Sequence, residues 1–84
     1  MRNKEWIICH LREAAEEFTR TITALKSNPK FDEINLEIAM AHMYNHLNTA
    51  WNSRKARADR IRACSEEDFY TWRGFPEDIS MGKV

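Results

Sequence analysis

Eighty-four residues suffice for one domain with a thin core, and chains this short often gain stability from a partner subunit, a metal or a disulfide. Thirteen basic and thirteen acidic residues give a formal net charge of zero, which disfavours a globally basic nucleic-acid binder. The apolar run Trp6-Ile7-Ile8-Cys9 is too short for a signal-peptide core, and no stretch is long enough for a membrane span, so a cytoplasmic protein without membrane contact is expected.

Gly74, Gly82, Pro29 and Pro76 are the only strong breakers, and between Lys4 and Ala63 only Pro29 interrupts the chain. No alternating run of β-branched residues suggests a strand. The expected fold is all-α, a single domain over 1–84: an antiparallel helical hairpin with a short C-terminal helix, pairing into a dimeric four-helix bundle.

The first helix is predicted over about 4–27. Ile7, Leu11, Ala14, Phe18, Ile22 and Leu25 recur at spacings of three and four and form an apolar stripe that faces a partner. Ser27-Asn28-Pro29-Lys30 is the turn, because Pro29 lacks an N–H and disfavours the α region at Asn28. Asp32 is the expected N-cap of a second helix over about 33–63, with a stripe of Leu36, Met40, Met43, Leu47, Ala50, Ala58 and Ile61. At 1.5 Å per residue these helices are roughly 36 and 45 Å long, so the second overshoots the first. Ser65-Glu66-Glu67-Asp68 reads as the capped start of a short helix over about 66–73, stopped by Gly74. Its aromatics, Phe69, Tyr70 and Trp72, are expected to fold back onto the overhang near Trp6 and Trp51. Residues 80–84 are expected to fray.

Four constellations bear on function. His42 and His46 stand at i and i+4 on one helix face, and the antiparallel register brings His10, Glu13 and Glu17 to the same flank of the hairpin. The metal reading makes His10, His42, His46 and Glu13 or Glu17 ligands of zinc or a similar divalent ion, with hydrolysis open to a site that keeps a free position. The plainer reading is His–Glu pairing along a seam. Ile34, Ile38, Ala41, Asn45, Asn48 and Asn52 form a second line on the opposite side of the second helix, apolar near the turn and polar beyond it. A dimer or partner helix would use it, with the amides fixing register.

The basic run Arg54, Lys55, Arg57, Arg60 and Arg62 suits either phosphate contacts or pairing with Glu66, Glu67 and Asp68. Pairing is favoured, because the charges spread around the helix. The aromatic set Trp6, Trp51, Phe69, Tyr70, Trp72 and Phe75 reads as a small core at the open end. Cys9 and Cys64 fit no paired-cysteine motif. No P-loop, glycine-rich phosphate turn or nucleophile elbow is present, which argues mildly against an enzyme. The sequence therefore points to a homodimeric interaction or regulatory module, with a metal-binding bundle as the alternative.

Overall fold

The computed structural model describes residues 1–82. Four helices follow in order: α1 (Lys4–Ser27), α2 (Glu33–Asn52), α3 (Ala58–Ala63) and α4 (Glu66–Trp72). Among the described residues there is no strand, and α1 packs along α2 as an antiparallel hairpin. No helix of the described residues is long and apolar enough to cross a membrane. Residues 80–82 have no regular structure, and 83–84, the end of the expected frayed stretch, lie outside the described residues.

The turn forms as its residues dictate. Asn28 leaves α1 in an extended conformation, as the residue before a proline must, and its N–H closes the last turn on the Ala24 carbonyl. The Asn28 side chain accepts from the Lys30 N–H at 3.0 Å. Asp32 then caps α2: it accepts from the Asn35 N–H at 3.0 Å, while Asn35 Oδ1 accepts from the Asp32 N–H at 3.1 Å. Two otherwise orphaned amides are satisfied reciprocally.

The second helix is shorter than its composition suggests. It ends at Asn52 rather than near Ala63, and residues 53–57 form a turn before α3 begins. The cause lies at the other end of the chain. Ser53, fully buried, donates its hydroxyl to the Thr49 carbonyl and accepts from Trp6 Nε1 at 2.7 Å. Asn3 Nδ2 reaches the carbonyls of Ser53, Arg54 and Ala56 at 3.1, 3.2 and 2.8 Å. These carbonyls have no helical partner once α2 stops, and one side-chain amide gathers them. Asn3 does so from a left-handed backbone (φ 63°), which asparagine tolerates better than most residues. There is consequently no overhang of α2 for the tail to cover.

The tail still folds back, but of its aromatics only Trp72 enters a core, while Phe69, Tyr70 and Phe75 stay exposed. Ser65 caps α4 by accepting from the Asp68 N–H at 3.1 Å. Asp68 is buried and paired with Arg60 of α3, whose hydrogen bonds hold its carboxyl below the usual carboxylate range. Trp72 is buried, edge-on to Trp6 with ring centroids 6.4 Å apart. Trp51 donates Nε1 to Asp78 at 2.8 Å, and the Arg54 guanidinium lies 3.7 Å from the Trp51 ring centroid.

Ser53→Ala removes both hydrogen bonds of the node and leaves the Trp6 N–H without an acceptor. The expected loss is about 1–3 kcal/mol, read as a lower urea midpoint at unchanged slope. Asn3→Ala is expected to lose a similar amount, whereas Lys55→Ala, exposed and using only its backbone, stays within about 0.5 kcal/mol of wild type.

Candidate functional site

The hairpin seam is built from small and polar residues. On α1 the positions turned to α2 are Ile7, His10, Ala14, Glu17, Thr21 and Ala24, spaced by three and four, and each is buried or half-buried. On α2 they are Leu36, Ala39, Met43, His46 and Ala50. Alanine and threonine at the centre let the two backbones come close, but they bury little apolar surface.

The large apolar side chains of α1 stand one residue further round. Ile8, Leu11, Phe18, Ile22 and Leu25 are 43, 46, 41, 54 and 55% exposed, and Ala15 completes their heptad spacing. The stripe expected from the sequence is thus divided between two surfaces. Ile7 and Ala14 enter the seam; Leu11, Phe18, Ile22 and Leu25 face outward. Because the helices run in opposite directions, the position after a seam residue points to the same side of the hairpin on both. The α2 contribution to that side is Glu37, Met40, Tyr44, Leu47 and Trp51, of which Glu37, Met40 and Tyr44 are exposed. The result is an apolar face along α1 and the first half of α2, bounded by Glu37 near the turn and by Phe75, Arg54 and Asp78 toward the open end. On the other side an open groove near the turn carries Glu17, Arg20, Asn35 and His42 at its rim and Ala24, Phe31, Ile38 and Ala39 along its apolar lining.

The proposed metal ligands form two pairs rather than one cluster. His10 Nδ1 lies 3.0 Å from His46 Nδ1 inside the seam, while His42 Nδ1 lies 3.8 Å from Glu17 Oε1 further toward the turn. Glu17 is also bonded to Arg20, which holds its carboxyl below its ordinary range. Glu13 acts on His10 only through its charge. Among the described residues no group of three or more His, Cys, Asp or Glu side chains is placed to share an ion. The reason is registry: His10 packs against α2 on the seam itself, whereas His42 stands on its polar edge.

The asparagine line is drawn into the chain's own packing at its polar end. Asn48 Nδ2 donates to the Arg73 carbonyl at 3.0 Å, and Asn52 Nδ2 to the carbonyls of Trp72 and Gly74, both at 2.7 Å. These amides satisfy the carbonyls left free where α4 ends. Asn45 accepts from Thr49 Oγ1 at 3.3 Å. Only the apolar part stays open, with Ile34 and Ile38 69 and 51% exposed and Ala41 exposed beside them. The basic run is largely paired within the chain: Arg54 with Asp78, Arg57 with Asp59 and Arg60 with Asp68. Asn3 and Ser53, which organise the open end, carry no signal in the sequence beyond low helix propensity.

Comparison with protein-family models, with curated proteins and with solved structures finds no match for this chain.

The histidine pair makes stability pH-dependent. Burial, then the neighbouring His46, lowers the His10 pKa from its ordinary value, with Glu13 opposing. The neutral ring is therefore favoured in the folded state, and around neutrality the unfolded chain binds more protons. Stability is full above about pH 6.5 and falls as pH drops below it. Glu17, Asp68 and Asp78 have lowered pKa values and lose their contribution only at more acid pH, so they do not act in this window. Urea titrations at pH 7.5, 6.5 and 5.5 are expected to show a falling midpoint in wild type and a flatter trend in His10→Leu.

Proposed function

We propose that this protein is a homodimeric interaction or regulatory module, in which two hairpins close their apolar faces on one another to make a four-helix bundle. The observation that carries this reading is the inverted burial on α1: Thr21 and Ala14 lie inside, while Phe18, Ile22 and Leu25 lie outside. Full burial of such side chains stabilises by roughly 1.5–3 kcal/mol each, and the hairpin alone forgoes about half of it.

A second copy suits this face in size and charge. The 24 residues of α1 span about 36 Å, and two helices side by side are about 20 Å wide. The face therefore covers about 700 Å², close to the roughly 800 Å² that each partner buries in a stable complex. Its edges are complementary. Arg12 and Lys26 flank it on α1, Glu33 and Glu37 on α2, and none of the four takes part in an ion pair among the described residues. A self-matching surface of this kind closes as a two-fold dimer. Cys9 and Cys64, both free thiols, suit a reducing cytoplasmic setting.

Sedimentation equilibrium tests the reading. Wild type is expected to be dimeric at micromolar concentration. Phe18→Glu and Ile22→Glu are expected to weaken association by about 100-fold or more, since each buries an unpaired charge, while keeping helical circular dichroism. Ile34→Glu, on the other side of α2, is expected to leave association unchanged. A wild type that stays monomeric at millimolar concentration refutes the dimer.

A further inference from the structure

We infer that the two hairpins pair with their turns at the same end, so that α1 of each copy lies antiparallel against α2 of the other, with Lys26 beside the partner's Glu33 and Glu37. This rests on the dimer reading above and specifies its geometry.

The contacts Trp6–Ser53, His10–His46 and Glu17–His42 fix which residues of α1 and α2 lie at one level along the hairpin. A two-fold axis parallel to the helices preserves those levels between copies. Leu11 then meets the partner's Leu47, Phe18 the partner's Met40, and Ala15 the partner's Tyr44. The smallest residue of the α1 heptad thus receives the part of the Tyr44 ring that Phe75 of its own chain leaves open. At the turn end Lys26, in the last turn of α1, comes level with the partner's Glu33, and the partner's Glu37 follows one turn along.

The other closed arrangement sets the turns at opposite ends. It stacks α1 on α1 and α2 on α2. Lys26 would then find the partner's Glu5, but α2 contains no lysine or arginine. Two acid-only helices would lie together, and Glu33 and Glu37 would gain no base from the helix they face. The same-end arrangement instead sets the acid-only helix against one that carries bases.

Distance measurement between spin labels decides it. Nitroxides are placed at Lys30→Cys in the turn and, separately, at Glu5→Cys at the open end, both in a Cys9→Ser/Cys64→Ser background. Sedimentation first establishes that the labelled protein is dimeric; a monomer there refutes the underlying dimer rather than its orientation. In the dimer, same-end pairing gives separations of about 25 Å or less at both sites, because only interaxial spacings and label arms intervene. Separations of about 35 Å or more, near the length of α1, overturn the orientation. In parallel, Glu33→Lys/Glu37→Lys is expected to weaken the dimer about fivefold at low salt, and adding Lys26→Glu to restore it. Absence of that rescue, with helicity intact, likewise overturns it.

Discussion

Ser53 is the residue on which the chain's path turns. Its hydroxyl joins the end of α2 to the indole of Trp6 on α1, and its burial leaves no room for a longer side chain. Because α2 stops there, the carbonyls of the following turn lack helical partners, and Asn3 collects them. The start of α1, the end of α2 and the turn into α3 are therefore one hydrogen-bonded unit. Trp6 extends it through its edge contacts with His10 in the seam and with Trp72 of α4. Buried polar networks of this kind specify a unique arrangement when every member is satisfied. The exception here is His10 Nε2, buried without a partner, and it belongs to the same group whose protonation opposes folding.

Pinning the open end in this way fixes how α1 is rotated against α2. With Trp6 bound to Ser53 and His10 to His46, the seam follows Ala14, Glu17 and Thr21, and the large side chains one residue on must face away. Polar pairs across the seam give up apolar burial in exchange for register. For an isolated hairpin that choice is costly, since a chain of this size has little core to spare. It becomes reasonable when the seam only needs to hold two helices in register and most of the apolar surface is reserved for another contact.

The sequence made the local features legible and the long-range ones not. Pro29, Asp32 and Ser65 act on neighbours within three residues, so the turn and both caps can be read directly. The end of α2 cannot, because the groups that stop it are Asn3 and Trp6, some fifty positions away. The apolar stripe of α1 is visible as a period, but a seam and its neighbouring face differ by a single residue, or about 100° of rotation. A period of three and four does not say which line of residues meets the partner helix. The histidine flank shows the same limit: levels along the hairpin were readable, as Glu17 against His42 illustrates, but not that His10 turns inward to His46.

The C-terminal segment decides what kind of assembly the remaining surface permits. Asn48 and Asn52 bind the end of α4, so the tail runs along the outer side of α2, and Phe75 reaches the margin of the apolar face, edge-on to Tyr44 at 5.0 Å. What stays open there is the short patch around Ile34 and Ile38 at the turn, beside acidic Glu33 and Glu37. One long apolar face and one small acid-edged patch are not complementary to each other in length or shape. Head-to-tail association, which needs two different matching surfaces and propagates into filaments, is disfavoured. The long face instead suits a second copy of itself, as the proposed two-fold dimer requires. In this way the amides that read as a second interface instead fasten the tail over α2, and by covering that side they leave the long face of α1 as the main open apolar surface, the one the proposed dimer uses.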